Sequence, residues 1–444
     1  MILNRNRVAR TDLREVAIRC VESAIDAAHP DAVIEETVAV SDNRLRIDDT
    51  KYDLDAFDDV YVVGGGNVAG HVAAALEAKL GSRITDGVVV TDDPVSTDTV
   101  DIVEGDYPVP SERCMAGTRR VLDLASTATE TDLLVTVLSG GGSPLLSAPV
   151  ADISLSDLQV LTERLFASGG SDMDINVVRK HLSEVKGGKL ARAAMPAQVV
   201  TMVFSDVVEN DAAAVASGPT LPDESTYADA LDILERYDID PPQRVVNHLE
   251  RGRSGAIPET PTTGASVFER ISCHTIADGT TALAGARKAA REQGFEPVIL
   301  TSRLRGAARE AAKALVAVGE EITATGEPVE PPAVVLATGQ TTAMTAEDDD
   351  TGPNQEFALS AAVEFHRSLT SDAALASVGT DGFDGFADTA GAVVDTTTGY
   401  PVADAWDALN EHGAPAFLHD RGDCVDISST GTNVNDIHVL VVDE

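Results

Sequence analysis

The 444-residue chain has few basic residues, and lysine occurs only seven times. It contains 33 Lys plus Arg against 73 Asp plus Glu, which gives a formal net charge of −40 and a pI near 4.4. Nucleic acids and anionic membranes attract basic surfaces, so this balance excludes both as general partners. Because concentrated salt screens repulsion between carboxylates, we expect a salt-adapted protein from a halophilic source, with an ordinary acidic protein as the alternative.

Aromatic residues make up only 4% of the chain, and long apolar runs are missing. A membrane-spanning helix needs roughly 18 or more apolar residues in succession, so the sequence predicts none. Hydrophobic residues still make up 43%, which is enough for a buried core. Because compact domains usually contain roughly 100 to 200 residues, the length predicts a soluble protein with two globular domains.

The four cysteines are far apart, at Cys20, Cys114, Cys273 and Cys424. They form neither a CxxC pair nor a Cys/His cluster with zinc-site spacing, so we predict reduced and mostly buried thiols. The first 28 residues are charged and then become helix-like, without the apolar core of an export signal. The cytoplasm is therefore the expected compartment.

Short runs rich in β-branched residues alternate with Ala- and Leu-rich segments of helical period, which is typical of parallel βαβ units. We predict strands at residues 60–63, 88–91, 133–138, 199–204, 271–277, 297–300, 333–337, 374–378 and 437–442. The predicted fold class is α/β, with two domains, doubly wound and mainly parallel sheets, and a cleft between the domains. In such sheets ligands bind beyond the carboxyl ends of the strands.

Segment 251–265, RGRSGAIPETPTTGA, is the part of the chain richest in residues that interrupt helices and strands. Domain boundaries commonly fall in such segments. We therefore predict an N-terminal Rossmann-like α/β domain over residues 1–255, a linker over residues 256–265 and a C-terminal α/β domain over residues 266–444.

The first candidate loop follows the strand at 60–63 and consists of Gly64, Gly65, Gly66 and Asn67. With Ala69 it fits the relaxed GxGxxA form of a dinucleotide turn, in which backbone N–H groups and a helix N-terminus hold a phosphate. Three interpretations stay open: an anion-binding turn, an NAD site and a structural tight turn. An NAD site needs an acid about 20 residues further on. Asp86 or Asp92 could supply it, but acids are abundant throughout this chain.

The second candidate loop follows the strand at 133–138 and consists of Ser139, Gly140, Gly141, Gly142 and Ser143. Three consecutive glycines let a ligand approach the backbone closely, and Ser143 could cap a helix that starts at the following proline. No Gly-Lys-Ser/Thr follows, so this is not a Walker A loop. A flexible surface hairpin is the alternative interpretation.

Three of the seven lysines fall within ten residues of segment 176–190. In this segment Arg179, Lys186 and Lys189 accompany a Gly-Gly turn, and a guanidinium fork and ammonium groups suit a carboxylate or phosphates. The alternative is a helix terminus whose cations complement the helix dipole. His181, in the same segment, is predicted to pack or hydrogen-bond rather than to catalyse.

Asp206 lies just past the strand at 199–204, where a carboxylate can bind Mg²⁺ or accept a hydroxyl proton. Further polar turns follow other predicted strands, and they contain Gln340, Asn354, Asp381 and Asp384. Each turn could be purely structural. Their number nevertheless predicts that they lie together along one wall of a cleft.

Six segments together resemble the glycerate 2-kinase family, whose C-terminal half is called the MOFRL domain. They read SGGGSPLL, NVVRKHLSEVKGGKLA, SDVVENDAAAVASGPTLPD, GPNQEFAL, GTDGFDGFADTAGAVVD and TGTNVNDIHVL, in the family's order and over nearly the whole chain. Members often carry the label hydroxypyruvate reductase. The resemblance implies ATP- and Mg²⁺-dependent phosphorylation of the 2-hydroxyl of D-glycerate or a related small hydroxy acid, in a cleft between two α/β domains. A homodimer stays open.

The resemblance also implies roles for the candidate residues. The two glycine loops and Lys189 would bind the nucleotide, and Arg179, Lys186 and Asp206 are the candidate catalytic residues. Arg179 and Lys186 would face phosphate or the substrate carboxylate, and Asp206 would hold the metal or accept the hydroxyl proton. The candidate substrate-binding residues are Gln340, Asn354, Asp381 and Asp384.

The chain departs from the family's pattern at four positions. Asn67 and Pro353 stand where the family typically has Lys and Arg, Tyr107 stands where it has His, and Gln340 replaces an acid. Loss of each cation near a transferring phosphoryl group would weaken catalysis by about 10²- to 10³-fold. Two alternatives therefore stay open: an NAD(P)-dependent hydroxypyruvate reductase, and a non-catalytic ligand-binding relative of the kinases.

Overall fold

The computed structural model describes residues 1–343, 352–369, 371–385 and 387–443. These residues form two compact units. The first unit comprises Val33–Val207 and Asp211–Ile276. The second unit comprises Met1–Ala32, Val208–Asn210 and the described residues from Ala277 onward.

The strands of the described residues are β1 Val38–Ser41, β2 Arg44–Ile47, β3 Thr50–Asp53, β4 Val60–Gly65, β5 Asp86–Thr91, β6 Val100–Glu104, β7 Leu133–Ser139, β8 Gln198–Phe204, β9 Ile271–Ala277, β10 Glu296–Ala307, β11 Ala333–Thr342, β12 Ala373–Gly379, β13 Gly391–Asp395, β14 Cys424–Val425 and β15 Asp436–Val442. Each predicted strand coincides with one of them. The shorter and more polar strands were not predicted.

The helices of the same residues are α1 Arg5–Val8, α2 Asp12–Ala28, α3 Pro30–Thr37, α4 Ala69–Leu80, α5 Glu112–Thr127, α6 Gly142–Leu145, α7 Leu155–Ala167, α8 Asp172–His181, α9 Lys189–Ala194, α10 Tyr227–Arg236, α11 Gln243–Arg253, α12 Gly279–Glu292, α13 Ala308–Thr325, α14 Pro353–Ser368, α15 Val402–Asn410 and α16 Ala414–Arg421. Among these helices, none combines the length and the apolar character that a membrane span requires.

The sheet of the first unit has the strand order β6-β5-β4-β7-β8-β9, and its pairs from β6 to β8 are parallel. The chain moves from β4 through β5 to β6 on one side, and then returns to place β7 on the other side of β4. The topological switch point therefore lies between β4 and β7, where doubly wound sheets bind ligands. All seven residues of β7 are buried, as expected for a central parallel strand.

The sheet of the second unit has the strand order β10-β11-β15-β12-β13-β14. Its β10–β11 pair is parallel, and β15 runs antiparallel to both of its neighbours, β11 and β12. The α/β fold class with two units is confirmed. The parallel, doubly wound arrangement is most fully developed in the first unit, and the second unit has a mixed sheet.

The predicted domain boundaries differ from the two units at both ends of the first predicted domain. Helix α2 packs on α12, and Ser23 Oγ donates to the Gly285 carbonyl at 2.9 Å, so the chain start belongs to the second unit. The predicted linker 256–265 lies within the first unit, where Thr260 Oγ1 donates to Asp223 Oδ2 at 2.9 Å. The proline and glycine residues of this segment indicate irregular backbone that packs within the first unit. They do not mark a boundary between domains.

A small antiparallel sheet, β1-β2-β3, was missed by the sequence patterns. Its strands have four residues each and expose several side chains, so they lack a clear apolar period. The Asp42-Asn43 pair between β1 and β2 gives a usable signal, because Asp and Asn tolerate positive φ, and here their φ values are 48° and 60°. Two such residues in succession are typical of a tight β-hairpin.

Candidate active site

Two glycine loops meet at the switch point of the first sheet. One leads from β4 into α4, and the other leads from β7 into α6. The Asn67 N–H donates to the Gly140 carbonyl at 2.8 Å, and the Val68 N–H donates to Ser139 Oγ at 3.1 Å. The two loops that the sequence singled out are therefore joined by hydrogen bonds at the carboxyl ends of neighbouring strands.

Glycine is required where the loops touch. Gly66 has a φ of 140°, and a Cβ at that position would overlap the Ser139 side chain. Gly141 has a φ of 70°, and its Cβ would overlap the Asn67 amide. A larger residue at either position would push the loops apart. Gly140 and Gly142 are buried, which excludes the flexible surface hairpin as an interpretation of the second loop.

Asp206 lies at the carboxyl end of β8, beside the second glycine loop. A Cβ on Gly140 would overlap its carboxylate, so the carboxylate rests against the backbone of that loop. A carboxylate beside a backbone that a ligand can approach closely suits either a metal held between protein and phosphates or a hydroxyl that must lose its proton. The structure thus places Asp206 beside the second glycine loop, and its predicted role stays a prediction.

The Asn67 side chain is engaged with an acid of the neighbouring loop. Asn67 Nδ2 donates to Asp92 Oδ2 at 2.7 Å. Asp92 Oδ1 is buried without a hydrogen-bond partner among the described residues, and burial raises the pKa of this carboxyl. Asn67 therefore offers this carboxylate a neutral hydrogen-bond donor. A cation at the same position would neutralise the charge of the carboxylate.

Arg179, Lys186 and Ser143 line one small cavity that is partly open to solvent. Arg179 lies on α8, Lys186 follows that helix, and Ser143 lies on α6. The Lys186 ammonium also donates to the Leu146 carbonyl. The structure therefore brings together two of the three predicted cations and the end of the second glycine loop.

Burial lowers the pKa of both cations in this cavity. The pKa of Lys186 falls to about 7, because its ammonium is desolvated and lies near the Arg179 guanidinium. The pKa of Arg179 falls to about 10, again chiefly through desolvation. Lys186 is only 3% exposed, so a charge on it needs an anion close by.

Lys189, predicted to bind the nucleotide, points elsewhere. Its ammonium donates to the carbonyls of Lys180 and Ser183, at 2.8 and 2.6 Å, and it is not among the residues that line the cavity. It begins α9 and is buried, so its role in this structure is to hold the preceding turn. The side chain reaches back to its own loop, and its predicted contact with the nucleotide stays a prediction.

Ser143 belongs to a hydrogen-bond chain that the sequence patterns did not reveal. Ser143 Oγ and Ser217 Oγ are 2.7 Å apart, and Ser217 Oγ donates to Asn176 Oδ1 at 2.8 Å. Ala216 and Ser217 both have positive φ, at 52° and 61°, a strained conformation for residues other than glycine. The only sequence signal was the Ser-Gly-Pro turn that starts at Ser217.

His181 packs as the sequence predicted. Its Nδ1 is 2.8 Å from the Val177 carbonyl, and its ring meets the Tyr227 ring edge-on, with the ring centres 4.7 Å apart. The residue is fully buried. These contacts confirm a structural histidine.

The polar turns of the second unit also come together. The Asn354 and Gln355 N–H groups donate to Asp384 at 2.8 and 2.9 Å, so Asp384 caps the first turn of α14. Asn354 Nδ2 also donates to Asp436 Oδ1 at 2.8 Å. Asn354 and Asp384 are fully buried in this network, and their predicted contact with substrate stays a prediction. Their mutual proximity is confirmed.

Asp436, which was not among the predicted site residues, is a perturbed carboxyl of this cluster. Burial, reinforced by the neighbouring acids, raises its pKa to about 8. His438 lies two residues further along β15, and burial lowers its pKa to about 3, so it is neutral. Because its pKa lies near 8, Asp436 is largely protonated and uncharged near neutral pH.

Gln340 and Asp381, the other predicted substrate-binding residues, lie nearer to the surface. Gln340 is exposed on β11. Asp381 follows β12, is half-buried, and accepts a hydrogen bond from the Phe383 N–H at 2.9 Å. Both positions leave polar atoms within reach of solvent, so their predicted role stays a prediction.

No preformed metal cluster is present in the described part of the chain, where three or more His, Cys, Asp or Glu side chains do not converge. Mg²⁺ commonly uses one or two carboxylates and completes its coordination with phosphates and water. Asp206 beside the glycine loops fits that kind of site.

Comparison with known proteins shows which family models and which proteins the chain resembles. The model of a domain of unknown function, DUF4147, matches residues 16–250, and the model of the MOFRL family matches residues 333–436. A glycerate 2-kinase of Pyrococcus horikoshii is 35% identical, over 97% of this chain and 98% of that protein. A D-glycerate 2-kinase of Thermotoga maritima is 36% identical, over 97% of this chain and 98% of that protein.

A solved structure shows the same fold. The crystal structure of glycerate kinase from Thermotoga maritima matches with a TM-score of 0.82 and 34% identity, over 96% of this chain and 99% of that chain. The chain is a phosphotransferase enzyme, as its fold, the glycine loops at its switch point and these relatives indicate. The chain belongs to the glycerate 2-kinase family. The name hydroxypyruvate reductase also occurs among its relatives, but the two full-length relatives described above carry kinase names, and a reductase is not favoured.

Proposed function

We propose that the protein transfers a phosphoryl group from ATP, bound with Mg²⁺, to the 2-hydroxyl of D-glycerate or a related small hydroxy acid. One observation carries the proposal: two glycine loops are joined at the switch point of the first sheet, with the Asp206 carboxylate against one of them. Phosphoryl transfer depends on positioning and charge neutralisation, and this arrangement offers both.

The glycine loops suit the phosphates of the nucleotide. A Cβ on Gly66 or Gly141 would overlap the opposite loop and a Cβ on Gly140 would overlap Asp206, so glycine lets the two loops and this carboxylate approach closely. Ser139 Oγ ties the loops together by accepting from the Val68 N–H. The N-terminus of a helix attracts anions, and α4 begins directly after the first loop.

Asp206 is assigned the two roles that a carboxylate at this position can perform. It would hold Mg²⁺, which supplies charge neutralisation to the transferring phosphoryl group, or it would accept the proton of the attacking hydroxyl. Its place against Gly140 brings it beside the proposed phosphate loops. Both roles require the ionised carboxylate.

Because the Asn67 side chain is neutral, we expect slow phosphoryl transfer. The side chain donates to Asp92 and contributes no positive charge to the phosphate loops. Removal of one electrostatic stabiliser costs about 10²- to 10³-fold in kcat. We therefore expect turnover below that of a family member with lysine at this position.

The test is ADP release in molar salt with Mg²⁺, ATP and D-glycerate, with the product identified by NMR as 2- or 3-phosphoglycerate. Formation of 2-phosphoglycerate is the expected result, and Asp206→Asn should abolish it. NADH oxidation with hydroxypyruvate in the absence of any ADP release would instead support the reductase. Binding of ATP and glycerate without either product would identify a non-catalytic relative.

A further inference from the structure

Three successive buried residues of the first unit have left-handed backbone. Ala216 has φ 52° and ψ 20°, Ser217 has φ 61°, and Gly218 has φ 61° and ψ 56°. These three residues form the left-handed turn. L-residues that carry a Cβ adopt such angles only at a cost in free energy, and normally as single residues. Ala216 and Ser217 are therefore both strained.

The residue types make the strain of the left-handed turn unusual for this chain. At the other described positions where a non-glycine residue has positive φ, that residue is Asp, Asn or His. These types are the ones most often found there, and alanine and serine are less tolerant. The turn is also far from a surface loop tip, since Ala216 is 4% exposed and Ser217 is fully buried. A buried strained segment persists only where its neighbours hold it, and such segments cluster at functional sites.

The first neighbour of the left-handed turn is the second glycine loop. A Cβ on Gly142 would lie 2.5 Å from Ala216 Cβ, so Ala216 packs directly on the backbone of that loop. Ser143 Oγ, one residue further along, is 2.7 Å from Ser217 Oγ. The turn thus contacts the end of the loop through one methyl group and one hydroxyl group.

The second neighbour is α8, the helix that carries Arg179. Ser217 Oγ donates to Asn176 Oδ1 of this helix at 2.8 Å. A serine hydroxyl has one proton, so the Ser143 hydroxyl donates to Ser217 Oγ, and the three side chains form one directed chain of hydrogen bonds. This chain fixes the direction in which the Ser143 hydroxyl points.

The third neighbour is the Gly187-Gly188 turn, which directly follows Lys186. The Gly187 N–H donates to the Ser217 carbonyl at 3.0 Å, and the Gly188 N–H donates to the Gly218 carbonyl at 2.8 Å. Ser217 therefore binds one set of segments through its hydroxyl and another through its carbonyl. Because φ and ψ set the direction of the carbonyl relative to the side chain, an unstrained right-handed backbone could not keep both contacts.

We propose that the left-handed turn is a positioning element of the phosphotransferase site, and that Ser217 is its positioning residue. The turn holds the second glycine loop, α8 and the segment after Lys186 at fixed distances from one another. Its effect on turnover rests on the proposed function, because that function assigns the second glycine loop to the nucleotide phosphates. A displacement of about 1 Å within such a site can cost about 10²-fold in rate, which is why the strain is retained.

Ser217→Ala tests the hydroxyl contacts, because it keeps the Cβ and removes both side-chain hydrogen bonds. In ADP-release kinetics, kcat should fall by about tenfold and the KM for ATP should rise by about threefold or more, since the loop is displaced. A loss of folded protein lowers the apparent kcat but does not change KM. The control is Ser360→Ala, which removes a buried hydroxyl that donates to the Arg309 carbonyl in the second unit, and its KM should equal that of the wild type. An unchanged KM for ATP in folded Ser217→Ala overturns the proposal.

Ala216→Gly separates positioning from stability. Glycine adopts left-handed backbone without strain, so the melting temperature should stay close to that of the wild type. The methyl group that packs on Gly142 is lost, so the KM for ATP should nevertheless rise. Asp238→Gly is the matched control, because Asp238 is exposed and has a φ of 51°, and it should leave the KM for ATP unchanged. A wild-type KM in Ala216→Gly would refute the positioning role. If Ser217→Ala does not fold, Ala216→Gly carries the test.

Hydrogen exchange followed by mass spectrometry tests the positioning without turnover. Amides of residues 139–146 should exchange about tenfold faster in Ser217→Ala and Ala216→Gly than in the wild type, while amides of β4 and β5 should not change. If the wild type releases no ADP, the kinase proposal fails, and faster exchange in both variants still supports the positioning role. If the wild type releases ADP and loop exchange is the same in all three proteins, the kinase proposal stands and the positioning proposal fails.

Discussion

Asn67 and Asp92 lie on two neighbouring loops of the first sheet, and Asn67 Nδ2 donates to Asp92 Oδ2 at 2.7 Å. Within the described structure, the other carboxylate oxygen, Asp92 Oδ1, is buried without a hydrogen-bond partner. The neutral Asn67 amide thus donates to one of the two oxygens of the Asp92 carboxylate, and burial raises the pKa of that carboxyl. The pair lies beside the glycine loops, so its charge bears directly on a phosphate bound there.

Replacement of Asn67 by lysine should increase kinase activity. Asn67→Lys would place an ammonium between Asp92 and the phosphate loops, and restoring an electrostatic stabiliser of this kind is expected to raise kcat by about 10- to 100-fold. Initial rates of ADP release measure the effect. Asn67→Gln keeps a neutral amide and serves as the control. An equal rate in wild type and Asn67→Lys would contradict the idea that the missing cation limits turnover.

Asp206→Asn should lower kcat by at least about 10²-fold, because it removes the charge needed to hold Mg²⁺ or to accept the proton. The expected change in the melting temperature is small, because the amide has almost the same shape. Asp211→Asn provides the comparison, because Asp211 is exposed and accepts only from the nearby Ala213 N–H among the contacts described. Retention of activity in Asp206→Asn would remove Asp206 from the mechanism.

The KM for glycerate should rise as the pH increases above neutrality. The pKa of Lys186 is lowered to about 7, by burial first and then by the Arg179 guanidinium and the Lys189 ammonium, while the Cys114 thiol acts in the opposite direction. Lys186 is therefore charged below pH 7 and neutral above it in the free protein. An anion binds the charged form better, so KM should increase by up to about tenfold per pH unit above 7.

Steady-state kinetics between pH 6 and 9 test this profile. Lys186→Met removes the titrating group, and its KM should be higher than that of the wild type at pH 6 and should depend less on pH. A wild-type KM that stays constant, or an unchanged slope in Lys186→Met, would show that another group controls binding.

Asp436→Asn should stabilise the protein more at pH 8 than at pH 5. Burial raises the pKa of Asp436 to about 8 in the folded chain, against an unfolded value near 3.8. The folded state therefore holds one more proton between these values, and this group's contribution to stability falls by about 1.4 kcal/mol per pH unit as the pH rises.

Urea unfolding of wild type and Asp436→Asn at pH 5, 6.5 and 8 measures that difference. An exposed acid, Asp404, supplies the control variant Asp404→Asn, whose effect should not change over this range. The prediction fails if the stability difference between Asp436→Asn and wild type is the same at all three pH values.

The unfolding temperature should rise with salt. A net charge of −40 produces self-repulsion that ions screen within about 10 Å at 0.1 M and about 3 Å at 1 M. Thermal unfolding in KCl from 0.1 to 3 M, monitored by circular dichroism, measures the dependence. We expect the largest increase below 1 M, where the screening length changes most. A flat or falling curve would contradict salt adaptation.

Local patterns were sufficient for the strands of the first sheet other than β6, and for its two glycine loops. The apolar run of β7 identifies a buried strand because few other arrangements bury seven such residues in succession. The glycines after β4 and β7 mark close approach of backbones, which is a local requirement. Asp206 follows from the same rule, because ligands bind where parallel strands end.

The contacts that long side chains make depended on the tertiary structure. Lys186 and Lys189 are three residues apart in the same basic segment, yet one lines the cavity and the other returns to the Lys180 and Ser183 carbonyls. Asp384 and Asp436 are separated by more than fifty residues, and Asn354 joins them. Side-chain rotamers and contacts between distant segments determine such partners, and no local pattern contains them. The amino-acid sequence therefore determined the fold class, the family and the position of the glycine loops, while the folded chain alone decided which cations share the cavity and which acids are buried.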